Sequence, residues 1–495
     1  MSIAIDKYYA PFMSYVIEGY NPISVFHYFE DISRIPRSSS NEKEISNFLV
    51  EFAKQHNFEY YQDQIHNVII KKAGSKLCPN VPVVVLQGHI DMVCEKNNDT
   101  LHDFDKDGLK LRVVDGKLMA TGTTLGADNG AAVAIMLGLL DDDNIIHPPL
   151  ECVFTVQEET GLCGAINIDA SKISGRTMIN LDSEEEGVAT VSCAGGMRVR
   201  FYKDIVWGKG GEYGLKISVK GLNGGHSGMD IDKGNANANK LMGRVLYALY
   251  EQTEIRIASF NGGSKDNAIP READAEVVFN NKEELDKAIE IINSEAVDTF
   301  AEFSSVEENL SISAQQVIVE KAMDKDTTEA IIKCIYLAPN GVKTRNVKAG
   351  GFTVCSINMG VVKTHEAKIA IKFAPRSSIA SLQNQTKKEL KLLSELFGFE
   401  FEVDSEYPGW SYAEKSPIRT VFKECYKGQY GKQLRVEAIH AGLECGLFCE
   451  KLDGLDAIAV GPTIVGCHTP QEYLDLASCE RFYKLIVSVL ERLSK

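Results

Sequence analysis

Two patterns of hydrophobic and polar positions divide the chain near residue 195. In the first part, short apolar, β-branched segments alternate with helical spacing, which is typical of an α/β sheet. Residues 83–86 are apolar without polar alternation, as in a strand covered on both faces. The predicted elements are two helices within 25–56, separated by a break at 36–40, a helix rich in small residues at 129–140, and strands at 67–71, 81–86 and 151–157.

The second pattern consists of alternating strand-like segments interleaved with longer helical stretches, and it predicts an antiparallel sheet with helices on one face. Strand, helix and strand occur around 214–279 and again around 352–405, so two similar halves are expected. The predicted strands are 214–220, 273–279, 352–361 and 368–373, and the predicted helices are 235–250, 282–303 and 382–397. An α/β pattern returns after Trp410, with a strand at 457–460 and a helix at 478–493.

These patterns predict an α/β domain that is interrupted by an inserted α+β domain. The first part of the α/β domain is expected at 1–194, the insertion at 195–409 and the second part at 410–495. A chain of 495 residues fits this prediction, because single hydrophobic cores rarely grow beyond about 250 to 300 residues.

Composition excludes several classes of function. The formal net charge of −16 argues against nucleic acid and against an anionic membrane surface, since both require a basic partner. No apolar run approaches the roughly 18 residues of a membrane span. Residues 1–7 lack the features of a secretion signal, so we expect a cytoplasmic protein with its 12 cysteines reduced.

Histidine and acidic residues follow the predicted strands, where an open α/β sheet presents its ligands. They are His89 and Asp91 after the strand 81–86, Asp128 before the small-residue helix, Glu158 and Glu159 after the strand 151–157, Asp182 after another apolar segment, and His468 before a proline. Each has an ordinary alternative interpretation when taken alone. Asp128 could be an ordinary helix N-cap. The two glutamates could lie in a solvated turn, and His468 could be a surface histidine. Their common placement in one domain favours a metal site.

The motifs that carry these residues resemble the dinuclear-zinc peptidase superfamily that includes glutamate carboxypeptidase and aminoacylase. They are GHID at 88–91, GADNG at 126–130, EETG at 158–161, LD at 181–182 and HTP at 468–470. Within that superfamily, IPRSS at 35–39, GHSGMDI at 225–231 and HAGLECG at 440–446 resemble the bacterial aminoacyl-histidine dipeptidases. The resemblance covers nearly the whole chain. It implies a zinc-peptidase catalytic domain, with a mixed sheet flanked by helices, and a lid domain inserted into it.

The resemblance also implies a site and a reaction. Asp128 would bridge two zinc ions, with His89 and Asp182 completing one site and Glu159 and His468 the other, and Co²⁺ or Mn²⁺ would be possible substitutes. Glu158 would be the general base, and Asp91 would orient His89. The expected reaction is metal-dependent hydrolysis of dipeptides such as β-alanyl-histidine, by water activated between the two ions.

The inserted domain is expected to supply the substrate contacts. By resemblance, His226 stabilises the developing oxyanion and also binds substrate, and Asn267 contacts substrate. Arg376 is expected to bind the free carboxylate of a dipeptide. The partner is thus a small peptide, and the sequence leaves a homodimer open. Two other functions also remain open: an amidohydrolase or tripeptidase of the same superfamily, and a non-catalytic binding protein on this scaffold.

Overall fold

The structure, a computed structural model, describes residues 15–76, 78 and 81–495. The interpretation of residues 1–7 concerns a segment outside these described residues. The described chain divides into two units. The first contains the described residues up to Ser192 together with Tyr412–Ala438 and Leu443–Lys495, and the second contains Cys193–Ser411 and Ile439–Gly442.

An eight-stranded mixed sheet forms the centre of the first unit. In order across the sheet, its strands are Glu59–Gln62, Val68–Lys72, Leu150–Thr155, Val84–His89, Thr177–Asn180, Asp456–Ala459, Val188–Cys193 and Arg435–Ile439. The strand Val84–His89 pairs in parallel with Leu150–Thr155 on one side and with Thr177–Asn180 on the other. All six residues of Val84–His89 are buried, which explains its unbroken apolar pattern.

Helices accompany this sheet. They are Ile23–Ser33, Lys43–Gln55, Ala127–Asp141, Cys163–Asn167, Pro417–Tyr430, Glu444–Lys451 and Leu476–Leu493, with a 3₁₀ turn at Ala170–Lys172. Ala127–Asp141 is buried at all but two positions, and its alanines and glycines permit close packing on every side. A small second sheet contains Ile464–Val465, Tyr473–Asp475, Lys117–Ala120 and Leu111–Val114.

The second unit is built on a nine-stranded antiparallel sheet. In order, its strands are Ser311–Met323, Trp207–Lys220, Ala273–Val278, Arg256–Gly262, Phe352–Thr364, Lys368–Ser377, Gly195–Asp204 and Glu400–Tyr407, with Gly341–Asn346 paired to Phe352–Thr364. Its helices are Ala238–Gln252, Lys282–Phe303, Lys325–Leu337 and Ala380–Leu396. Side chains of the helices and of the sheet form one buried apolar cluster. The short strands Gly225–His226 and Ala268–Ile269 pair with each other.

The prediction of an α/β fold is confirmed, and the predicted strands and helices are present with bounds shifted by a few residues. The strand predicted at 81–86 extends to His89 and so includes that histidine. The sequence analysis did not identify the strand Ser311–Met323, whose residues are mostly exposed, or the helix Lys325–Leu337. Asp324 caps that helix by accepting the Thr327 N–H, a signal that could have located its start. None of the helices in the described part of the chain is long and apolar enough to cross a membrane.

Candidate active site

Strand direction brings the predicted acidic and histidine residues of the first unit together. The parallel strands Leu150–Thr155, Val84–His89 and Thr177–Asn180 end at the same edge of the sheet. His89 is the last residue of the middle strand, and Asp182 lies two residues beyond its neighbour. The His89 Nε2 atom is 3.7 Å from Asp182 Oδ1. The carboxyl ends of these strands therefore bring the candidate ligands His89 and Asp182 to one edge of the sheet.

Asp128 lies between two imidazoles. Its Oδ1 is 3.1 Å from His89 Nε2, and its Oδ2 is 3.2 Å from His468 Nε2. Asp128 itself has extended backbone angles, φ −80° and ψ 103°, near the start of the segment Ala127–Asp141, and its two side-chain oxygens face the imidazoles. Gly126 has a φ of +66°, and an added Cβ would come within 2.5 Å of Arg37 Nη2. Glycine is therefore required where the turn approaches the buried arginine.

Among the described residues, three of four three-residue groups of potential ligands share the Asp128 carboxylate. The groups whose ligand atoms lie within 4.8 Å of one another are His89–Asp128–Asp182, Asp128–Glu159–His468, His89–Glu158–Glu159 and Asp128–Glu184–Cys467. The first two contain all five predicted metal ligands, and each uses Asp128. His468 Nε2 also lies 3.0 Å from Glu159 Oε1. The described residues thus place two potential metal sites on either side of one carboxylate.

Asp91 is fully buried and connects His89 with the glutamate turn. Its Oδ1 lies 3.3 Å from His89 Nδ1 and accepts the Glu158 N–H at 3.1 Å. Its Oδ2 accepts the Glu159 N–H at 3.3 Å and the Ser39 hydroxyl at 2.8 Å. The Asp91 backbone carbonyl also lies 3.1 Å from His89 Nδ1, so Asp91 positions the imidazole ring through both groups while its carboxylate holds the backbone of the two glutamates.

The electrostatics of the cluster are those of cations held among carboxylates. Hydrogen bonds to Asp128 and Glu159 raise the pKa of His468 to about 10. Burial opposes ionisation of Asp128, yet hydrogen bonds from His468 and His89 hold its pKa well below the usual range. Burial raises the pKa of Glu158 to about 8. A divalent cation stabilises such carboxylates and displaces imidazole protons, so this charge pattern suits a metal centre.

The predicted residues of the second unit fall into one region of that unit. The His226 Nδ1 atom accepts the backbone N–H of Met229 at 3.1 Å, so the proton of the neutral ring is on Nε2. Arg376 directs Nε to Ser227 Oγ at 3.5 Å and Nη1 to the Tyr407 hydroxyl at 3.2 Å.

Asn267 is exposed, and its backbone carbonyl accepts the Ser227 N–H at 2.9 Å. His226 follows Gly225 in the short strand paired with Ala268–Ile269, the segment that comes directly after Asn267. Backbone pairing therefore holds His226 and Asn267 in neighbouring segments of the second unit.

Comparison with known proteins identifies the family. The model of the peptidase family M20/M25/M40 matches residues 85–492. The chain belongs to this family. It is 36% identical to the cytosol non-specific dipeptidase of Escherichia coli K12 over 477 residues, which cover 96% of this chain and 98% of that protein.

Solved structures agree with this assignment. The crystal structure of aminoacylhistidine dipeptidase from Vibrio alginolyticus is 35% identical and has a TM-score of 0.93, covering 98% of this chain and 99% of that one. An aminopeptidase from Bacillus cereus, 17% identical with a TM-score of 0.56 over 96% of this chain and 100% of its own, shares the fold. The predicted resemblance is confirmed, and the prediction of a peptidase with it.

This M20-family peptidase has further buried polar residues near the cluster that the sequence analysis assigned no role. Glu444 is fully buried and accepts hydrogen bonds from Gln87 and from the Thr155 hydroxyl, at 2.5 and 2.8 Å. Burial raises the pKa of Glu444 to about 7. Arg37 and Glu472 are also buried, although each is charged. Arg37 lies in the motif IPRSS and Glu444 in the motif HAGLECG, and these two motifs could have identified them from the sequence.

Proposed function

We propose that this M20-family peptidase hydrolyses dipeptides with two divalent metal ions, in the first instance zinc, and that Asp128 bridges them. The observation that carries the proposal is the position of Asp128, with each carboxylate oxygen beside a different imidazole, His89 or His468. A carboxylate that serves two neighbouring cations needs its two oxygens directed to two separate ligand groups. Asp182 would complete the site of His89, and Glu159 that of His468.

The side chains fit zinc by their chemistry. Each group offers one imidazole nitrogen and two carboxylate oxygens, the donors that catalytic Zn²⁺ sites use when one position stays open for water. Several carboxylates also crowd a largely buried space, an arrangement that needs nearby positive charge. Bound zinc ions would supply Lewis-acid activation of a water molecule and of the scissile carbonyl. Co²⁺ and Mn²⁺ accept the same donors and would be substitutes.

Glu158 would act as the general base. Its neighbour Glu159 contacts His468, whereas Asp91 holds the Glu158 backbone and leaves its carboxylate available. In this role Glu158 accepts a proton from water and later donates it to the leaving amine. Because Glu158 also lies within ligand distance of His89, its metal-binding role is the alternative that mutagenesis must separate.

The second unit would supply the substrate contacts, as the lid domain of this enzyme, and the first unit would be the catalytic domain. Burial and the Arg376 charge lower the pKa of His226, so the ring is neutral with a proton on Nε2. That N–H is a suitable donor to the oxyanion that develops on the scissile carbonyl. Arg376 presents a planar guanidinium, the group that binds carboxylates through two hydrogen bonds, and would receive the free carboxylate of a dipeptide. Asn267 would be a further contact.

The proposed substrates are dipeptides with a C-terminal histidine, such as β-alanyl-histidine, within a broader set of dipeptides. The similarity to the Vibrio alginolyticus aminoacylhistidine dipeptidase supports the first part, and the similarity to the E. coli non-specific dipeptidase supports the second. The name of the E. coli relative also supports a cytosolic location.

The test is a hydrolysis assay on matched peptides before and after removal of metal by a chelator. The panel contains Xaa-His dipeptides, other dipeptides, tripeptides and N-acyl amino acids. We expect hydrolysis of dipeptides, loss of activity on chelation, and recovery when two equivalents of Zn²⁺ are added. Faster turnover of N-acyl amino acids would assign an amidohydrolase instead. A metal-loaded protein that hydrolyses none of the panel would contradict the enzymatic proposal.

A further inference from the structure

Glu472 holds the turn that carries Asp128. Its two carboxylate oxygens accept the backbone N–H groups of four consecutive residues: Leu125 at 2.7 Å, Gly126 at 2.9 Å, Ala127 at 2.8 Å and Asp128 at 3.3 Å. The side chain is 2% exposed, so water does not compete for these donors. A carboxylate at the start of a helix is also favourably placed in the field of the helix dipole. The Asp128 backbone is thereby fixed to a single acceptor group.

Arg37 joins the same turn to the His89 segment. Its Nη2 donates to the Gly126 carbonyl at 2.5 Å, while Nη1 donates to the carbonyls of Ile90 and Asp91 at 3.1 and 3.3 Å. Arg37 is 2% exposed, and this burial lowers its pKa. The negative charge of Glu472 makes the largest opposing contribution, because it favours the charged guanidinium. Burying a guanidinium is unfavourable unless its donors and its charge are matched. Here three carbonyls accept from Nη1 and Nη2, and Glu472 supplies opposite charge, while Nε has no hydrogen-bond partner among the described residues.

Together the two side chains connect three ligand-bearing segments. One contains His89, the second contains Asp128, and the third runs from His468 to Glu472 itself. The last segment is short and internally bonded, since Glu472 N–H donates to the Thr469 carbonyl at 3.0 Å. A displacement of the turn would therefore move one ligand relative to the other two.

We propose that Glu472 and Arg37 are positioning residues that set the distance between Asp128 and the two imidazoles, and so the affinity for the bridged metal pair. The inference rests on the proposed function. It concerns residues that touch no reacting atom but act through the backbone that carries a ligand. Substitution of groups that orient metal ligands typically lowers metal affinity or activity by about 10- to 100-fold.

The decisive variant is Glu472→Gln. The amide keeps the side-chain volume, but its NH₂ group would face backbone N–H donors, so at least two of the four lose their acceptor. We expect apparent dissociation constants for Zn²⁺, measured by chelator competition, to rise by about 10- to 100-fold. We also expect kcat to fall at saturating zinc while KM changes little, because the substrate contacts are separate.

Glu151→Gln is the matched control. Glu151 is another carboxylate with 2% exposure in the first unit, and it accepts the N–H groups of Ser174 and Gly175 at 2.8 and 3.0 Å. It lies at the start of the strand Leu150–Thr155, at the end opposite to the ligands. We expect this variant to lower the Tm of the metal-free protein without changing zinc affinity.

Arg37→Lys provides a second measurement if Glu472→Gln does not fold. Lysine keeps the charge but lacks the planar group that donates to three carbonyls, so zinc affinity should fall by roughly 10-fold. Unchanged zinc affinity in the variants, or an equal loss in Glu151→Gln, would overturn the inference. Failure of the wild-type protein to bind zinc would instead refute the proposed function, so the two failures are distinguishable.

Discussion

The Asp91 carboxylate accepts the backbone N–H of Glu158 at 3.1 Å while it lies 3.3 Å from the Nδ1 atom of His89. Orientation of the imidazole and position of the glutamate turn are thus coupled through one buried side chain. Asp91→Asn keeps the shape but offers a single acceptor oxygen. We expect kcat at saturating zinc to fall by about 10- to 100-fold. Unchanged kcat and unchanged zinc affinity would contradict this role.

Glu158→Gln tests the general base separately from the metal ligands. If Glu158 only transfers protons, the variant retains two zinc ions per chain by elemental analysis, while kcat falls by about 10²- to 10⁴-fold. The amide preserves volume and cannot accept a proton from water at neutral pH. A parallel loss of zinc would show that Glu158 is a ligand.

Asp128 and Asp182 differ in the number of metal ions they are expected to hold. Asp128→Ala removes the shared carboxylate and should abolish binding of both zinc ions. Asp182→Ala affects only the group of His89 and should leave one zinc ion per chain. Elemental analysis after dialysis measures both stoichiometries. Equal stoichiometry in the two variants would exclude a bridging role for Asp128.

His440 predicts a pH dependence of stability in the second unit. Burial, together with the charge of Arg376, lowers its pKa from 6.5 to about 4, and its Nε2 lies 2.7 Å from the Ser356 hydroxyl. Because the folded pKa lies below the unfolded one, protonation favours the unfolded chain. The folded protein therefore has its full stability with respect to His440 above about pH 6.5, where this residue is neutral in both states. That stability is lost as the pH falls toward 4.

The variant His440→Gln removes this titration. Between pH 7 and pH 4.5, the wild-type free energy of unfolding should fall by about 2 kcal/mol more than that of the variant. Urea unfolding of the metal-free proteins at both pH values gives the comparison. An equal fall in the two proteins would show that His440 does not carry the effect.

The local sequence was sufficient to predict the strand and the helix that carry the candidate ligands His89 and Asp128. The buried strand Val84–His89 has a continuous apolar pattern, and the small residues of Ala127–Asp141 indicate a packed helix. Each signal lies within a few residues of His89 or Asp128. Family motifs then related these segments to each other, which periodicity alone cannot do.

Local sequence patterns could not predict the contacts between distant segments of the chain. Glu472 lies 347 positions from Leu125, and Glu444 lies 357 positions from Gln87. A buried carboxylate has the same appearance in a sequence as a solvated one, because its partners are backbone groups or remote side chains. The exposed strand Ser311–Met323 was missed for a related reason, since it has little apolar alternation to reveal it.

The strand Asp456–Ala459 lies between Thr177–Asn180 and Val188–Cys193 in the first sheet. During synthesis the ribosome therefore releases the early strands, and then the more than two hundred residues of Cys193–Ser411, before the central gap can be filled. His468 and Glu472 emerge later still. A nascent chain therefore cannot bring His468 and Glu472 to Asp128 until the inserted residues have been synthesised, and until then the first sheet lacks a central strand.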